Sequence, residues 1–272
     1  MKIKSAYTGW MWLHKWTADG AQFRVRFEEC VKELAYLGYD YLENFTFLRD
    51  HLTPEQVRKV CEEYGISISA LYTNLEAEEE TLKRDIDYVA QIGGKWLICS
   101  SPNWPKDQDL DSPPDWEEVK REAELCNRLG EYAKSQGIAL LHNHHSYTPV
   151  CRRPEIDLFA ELTDPQLVGF CVDNGHAAVA RIDAVSLVQD YADRVAYVHI
   201  KDLDPTLAWR GRGLSWVPLG HGVLNFSAFF DALDGIGFEG IVCAGLPAGC
   251  ERINRFESAR LSRIYMRSAL GL

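Results

Sequence analysis

The chain alternates eight times between a short apolar run and a longer amphipathic stretch. Strand-like runs fall near 3–8, 39–44, 66–71, 95–100, 137–142, 168–173, 194–200 and 239–244. Helix-like stretches follow near 22–37, 53–64, 75–92, 115–135, 154–162, 182–191, 225–235 and 254–269. Eight β-then-α units with no leftover hairpins predict a closed parallel barrel rather than an open sheet. The expected fold is one (β/α)8 barrel domain spanning residues 1–272. Turn chemistry agrees. Thr53-Pro54-Glu55 starts a helix with proline in its first turn. Gly38, Gly65, Gly137 and Gly237 each precede a strand, as a helix cap does.

Composition narrows the class of partner. The net charge is −11, with acidic residues spread through the helical segments, which disfavours nucleic acid. Two basic spots, Arg152-Arg153 and Trp209-Arg210-Gly211-Arg212, can hold an anionic or hydroxylated substrate or serve as solvated loop charge. No apolar run is long enough for a transmembrane helix, and the N-terminus lacks a signal peptide's apolar region. Eight cysteines without a C-x-x-C pair suit reduced, structural thiols and a cytoplasmic location. Assembly into a homo-oligomer is left open.

Polar residues gather where the apolar runs end. Leu141-His142-Asn143-His144-His145, Val172-Asp173-Asn174-Gly175-His176 and Val198-His199-Ile200-Lys201-Asp202 each deliver His or Asp at a strand exit. Barrel enzymes build their sites there. Alternate strand residues share a face, so Asp173, His199 and either His142 or His144 can converge as metal ligands. Mn, Co, Zn or Mg all accept mixed imidazole and carboxylate donors. The alternative is a set of satisfied polar strand ends, but burying so many without purpose is costly.

Glu43 ends the second strand as a candidate general base or hydroxyl binder, or as a salt-bridge partner. Lys201 shares a face with His199 and can polarise a carbonyl or support Asp202. His145 is a candidate for proton transfer, and His176 for substrate contact or a turn-stabilising bond. Gly220-His221-Gly222 permits close backbone approach, to substrate or within a tight turn. Two long loops, 101–116 and 203–225, lie on the same side of the strands and carry tryptophans. Trp209 and Trp216 can stack on a ring or close an apolar rim.

Val172-Asp173-Asn174-Gly175-His176, Tyr197-Val198-His199-Ile200-Lys201-Asp202 and 218–226 together resemble the sugar phosphate isomerase/epimerase family. These are xylose-isomerase-like TIM barrels that include inosose dehydratases and ketose 3-epimerases. The resemblance implies one divalent metal held by Glu, Asp, His and Glu from strands five to eight. Asp173 and His199 match the middle two. The strand-five places hold His142 or His144, Tyr147 and Cys151. The strand-eight place, near Ala244, has no acid, and Glu251 is the nearest.

The expected activity is sugar or cyclitol isomerisation or epimerisation, by proton abstraction alpha to a carbonyl through a metal-stabilised enediolate. Loss of a β-substituent from the same intermediate gives the alternative, a dehydratase or lyase. Absence of both family glutamates leaves a further alternative, a metal-free barrel that binds a small molecule or runs a metal-independent reaction.

Overall fold

The fold is set by strands apolar on both faces, which must be covered inside and out. In the computed structural model, which describes residues 2–105, 108–206, 215–245 and 253–272, the barrel strands are β1 (Lys4–Thr8), β2 (Tyr41–Phe45), β3 (Ser67–Asn74), β4 (Trp96–Ser100), β5 (Ala139–Asn143), β6 (Val168–Asp173), β7 (Val195–Ile200) and β10 (Ile241–Ala244). They close in the order β1-β10-β7-β6-β5-β4-β3-β2, with parallel pairing throughout. The covering helices are α2 (Gly20–Leu37), α3 (Pro54–Tyr64), α4 (Glu79–Ile92), α5 (Trp116–Ser135), α6 (Arg153–Leu162), α8 (Ala184–Asp190), α9 (Phe226–Gly235) and α10 (Arg255–Ala269). Each expected strand and helix is present, with ends shifted by a few residues.

Caps account for the boundaries. Thr53 and Gln56 form a reciprocal capping box ahead of Pro54. Gly38 and Gly65 end α2 and α3 at φ 75° and 68°, a conformation that disfavours side chains with a Cβ. The barrel interior is a small cluster that includes Ala70, Tyr72, Ile98, Leu141, Cys171, Tyr197 and Cys243. The larger core lies between strands and helices.

Additional elements sit at the C-terminal ends of the strands. Helix α1 (Trp10–Leu13) follows β1, a 3-10 turn (Thr46–Asp50) follows β2, and α7 (Asn174–Val179) follows β6. The expectation of no hairpin is corrected: β8 (Asp202–Asp204) and β9 (Ser215–Val217) pair antiparallel beyond β7. The register also shifts in two places, where β2 meets β3 beside Glu43 and where β6 meets β7 beside Cys171. Such irregularities re-aim side chains at barrel rims. Here both occur on strand pairs that carry polar residues to the mouth.

Asp202 explains Gly220-His221-Gly222. Its buried carboxylate accepts from the backbone N–H groups of Leu203, Gly220, Gly222 and Leu224 at 2.8–3.2 Å. A Cβ on Gly222 would fall 2.2 Å from Asp202 Oδ1, so only glycine allows this cradle. The motif closes a turn around a carboxylate. Asp202→Ala is expected to lower the unfolding free energy by about 2–3 kcal/mol, because several donors lose a charged acceptor. Urea denaturation checks this, and an unchanged midpoint would contradict the cradle's role.

Candidate active site

The second, sixth and seventh strands bring inward residues near their C-terminal ends together. His199, the penultimate residue of β7, has Nε2 2.6 Å from Glu43 Oε2 and Nδ1 3.5 Å from Asp173 Oδ2. Asp173 pairs with His199 in register. Its Oδ1 accepts from the backbone N–H groups of Gly175 and His176, capping α7, and its Oδ2 forms an ion pair with Lys201 Nζ. Glu43, Asp173 and His199 are all buried. Two buried carboxylates facing one ammonium and one imidazole can approach neutrality when that imidazole is protonated, which avoids leaving charge uncompensated.

The environment favours that state. Burial alone would make His199 neutral, yet Cys171, Glu43 and the hydrogen bond to Asp173 hold its pKa well above the ordinary histidine value. Burial would raise Asp173, but Lys201, His176 and His199 outweigh it and keep its carboxyl well below the usual range.

A second group stands beside this one. His145 and His176 have ring centroids 3.7 Å apart, and Trp216 packs edge-on against His176 at 5.4 Å. His145 Nδ1 lies 3.0 Å from the Ser146 carbonyl oxygen. A carbonyl only accepts, so the ring proton sits on Nδ1 and Nε2 keeps a lone pair. Burial, then the Lys201 charge, lowers the His145 pKa to about 4. Burial and His145 lower His176 well below its ordinary value. Both imidazoles are therefore neutral near pH 7.

These residues line a cavity of about 620 Å³ at the C-terminal mouth of the barrel. One wall is aromatic: Trp10 and Phe45 have centroids 4.6 Å apart, with Phe47 and Tyr72 beside Phe45. The rest is polar, with Asn74, Ser100, Asn103 and Asn143 joining Glu43, His145, His176, His199 and Lys201.

Not every expected residue faces this cavity. His142 lies behind β5, bonded through Nε2 to Glu122 Oε1 of α5 at 2.6 Å and packed on Phe159 of α6. His144 Nε2 accepts from the Asp173 backbone N–H at 3.1 Å. The inward residues of β5 are Leu141, in the interior cluster, and Asn143, on the cavity wall. The expectation of His142 or His144 as a third ligand is thereby corrected: neither lines the cavity, and each has its Nε2 engaged elsewhere. Cys151 is buried in the loop beyond β5, and burial pushes its thiol up to about 11, as for an inert structural cysteine.

The basic spot Arg152-Arg153 is structural. Arg152 bonds Glu155 and the Leu110 and Ser112 carbonyls, and lies over Trp104 at 5.3 Å. Arg153 pairs with Asp157 and Asp190. Trp216 is buried against the site as part of its rim. Trp209, Arg210, Arg212 and Glu251 lie outside the described residues.

The expected metal donors can now be placed. Strand five offers the amide of Asn143 rather than a carboxylate. On the eighth barrel strand Ala244 packs outward, while Cys243 faces inward in register with His199. Gly245, also on the cavity wall, carries no donor, and a Cβ there would fall 2.1 Å from Thr8 Cγ2, so a side chain at this place would have to displace Thr8. The family's quartet is therefore not reproduced. Among the described residues a different trio can hold an ion: Glu43, His199 and Cys243 offer ligand atoms within 4.8 Å of one another. Neither Asn143 nor Cys243 stands out in the sequence, the first lying between two histidines and the second inside an apolar run.

Comparison with known proteins decides the family. The family model described as "Xylose isomerase-like TIM barrel" matches residues 31–268. The chain belongs to that family. It is 29% identical over 275 residues to an inosose dehydratase of Geobacillus thermodenitrificans (strain NG80-2), covering 91% of both chains. Its fold is similar to that of a D-allulose 3-epimerase from Methylomonas sp., with TM-score 0.76 and 17% identity, covering 98% of this chain and 96% of that one. It is also similar to a zinc-bound IOLI protein, with TM-score 0.70 and 17% identity, covering 97% and 96%. The chain is accordingly an enzyme of this family, whose members include isomerases, epimerases and lyases. No helix among the described residues is long and apolar enough to cross a membrane.

The buried neutral histidines make stability depend on pH. Burial, foremost, lowers His144 to about 4 in the folded chain, whereas an unfolded histidine titrates near 6.5. The unfolded state then binds more protons between those values. The His144 contribution is complete above about pH 6.5 and is lost as pH falls toward 4. Wild type is expected to lose more stability between pH 7 and pH 5 than His144→Gln, by roughly 1–2 kcal/mol. Urea midpoints at the two pH values test this, and equal losses would contradict it.

Proposed function

We propose that this chain abstracts a proton alpha to the carbonyl of a keto-sugar or keto-cyclitol and completes an isomerisation or epimerisation. The observation that carries this reading is a fixed cation beside a neutral imidazole on one cavity wall. Lys201, held by Asp173, is placed to bind the carbonyl oxygen and to stabilise the negative charge that develops there. His145 offers an unprotonated Nε2 and takes the proton. A general base of this kind contributes about 10²–10⁴-fold. His176, fixed by Ser146 at 2.8 Å, supports the His145 ring and is a second group for proton return. Asn143, Asn74 and Ser100 supply amide and hydroxyl partners for a polyol, while the aromatic wall covers its C–H face.

A divalent ion held by Glu43, His199 and Cys243 would add Lewis-acid stabilisation of the enediolate. Without an ion, Glu43 and His199 act as a hydrogen-bonded pair at the cavity floor, available to a substrate hydroxyl. The substrate is a small sugar or cyclitol. A dehydratase is favoured by one observation, the match to an inosose dehydratase over 91% of both chains. In that reading the same intermediate expels a β-hydroxyl instead of being reprotonated.

Steady-state kinetics on inososes and 2-ketohexoses test the assignments. His145→Asn is expected to lower kcat by about 10²-fold or more, with KM little changed. Lys201→Met is expected to lose about as much, with partial recovery in Lys201→Arg. Full kcat in His145→Asn would remove it as the base.

A further inference from the structure

The family-type metal position is altered in a consistent direction. Its strand-five place offers an amide, its strand-six carboxylate is taken by Lys201, and its strand-eight inward place carries a thiol. Three donors of different chemistry instead converge from β2, β7 and β10. His199 is the centre, with Glu43 2.6 Å from its Nε2 and Cys243 beside it in register. All three are buried, and their ligand atoms span no more than 4.8 Å. Zinc binds carboxylate oxygen, imidazole nitrogen and thiolate sulfur tetrahedrally with bonds of about 2.0–2.3 Å, so donors on one zinc lie about 3.2–3.8 Å apart. A small widening of the Glu43–His199 contact, with the more distant donors drawn in, closes the trio around an ion.

We propose that Glu43, His199 and Cys243 form a zinc site with one thiolate ligand, turned around the barrel from the family's strand-five to strand-eight position. Sulfur separates it from a site for Mn²⁺ or Mg²⁺: thiolates select zinc and similar softer ions, whereas the harder ions prefer oxygen. Asp173 stays with Lys201, so the ion and the ammonium are two separate positive centres facing one cavity. Three protein ligands leave a further coordination position open, as in catalytic zinc sites. Cys243 is then a working residue in a chain whose other described cysteines are buried in the packing.

The site rests on geometry alone, so its test reads metal binding and not turnover. The full-length protein is stripped with chelator, dialysed and loaded with Zn²⁺ or Co²⁺, and metal content is measured together with absorption. Wild type is expected to hold one equivalent of zinc and, with cobalt, to show a sulfur-to-metal charge-transfer band. Cys243→Ser should abolish that band and weaken zinc binding by tenfold or more, while Asp173→Asn, which leaves all three donors in place, should keep the band even if the lost His199 contact lowers affinity. Cobalt-loaded wild type without the band would overturn the proposal whatever the variants do. So would retention of zinc in Cys243→Ser with loss in Asp173→Asn, which would return the ion to the family's position. A wild type that binds no metal overturns it as well and leaves Lys201 as the charge at the site. A protein that binds zinc in the expected way but exchanges no proton of any keto-polyol keeps this site and defeats the proposed reaction instead.

Discussion

His199, set between two carboxylates, is the contact on which the rest of the site depends. Glu43 and Asp173 come from strands on either side of it around the barrel, so one imidazole ties β2, β6 and β7 together at the mouth. Removing any member would strand a buried charge, which is far more costly than losing a surface pair. The same contact organises the neighbours. Asp173 caps α7 and holds Lys201, α7 positions His176, and His176 packs tilted against His145. A chain of this kind makes the cavity floor rigid before any substrate arrives, and preorganisation is what electrostatic catalysis requires.

The barrel supplies this contact through register. Asp173, His199 and Cys243 stand in one row on three adjacent strands. The irregularities beside Glu43 and Cys171 adjust the strands that feed that row. The loop beyond β7 is fixed separately by Asp202, whose carboxylate collects backbone donors from both ends of the hairpin. One face of the molecule thus carries two buried carboxylate devices, one aimed at the cavity and one holding the loop that borders it.

Much of this was legible in the chain. Eight apolar runs, each followed by an amphipathic stretch, gave the barrel because parallel strands need helical crossovers. Asp173, His199, Glu43, Lys201, His145 and His176 stood out as polar residues at strand ends, and all but Asp173 line the cavity, which Asp173 borders through Lys201. The face of β5 was not legible. In Leu140-Leu141-His142-Asn143 both faces of the strand are buried, so alternation alone cannot tell inside from outside. His142 or His144 therefore reads as a ligand, whereas His142 packs behind the strand and Asn143 takes the cavity wall. Cys243 escaped notice for a chemical reason: a thiol inside an apolar run reads as a small hydrophobe. The hairpin at Asp202–Asp204 and Ser215–Val217 is hard to read because each strand has three residues and ten residues separate them.

Solvent isotope exchange tests the central claim most directly. The protein is incubated in D2O with an inosose or a 2-ketohexose, and deuterium at the carbon alpha to the carbonyl is followed by NMR. The account predicts enzyme-dependent incorporation that is lost in His145→Asn and sharply reduced in Lys201→Met. Product formation without any incorporation, or incorporation unchanged in both variants, would contradict a site built to remove and return that proton through these residues.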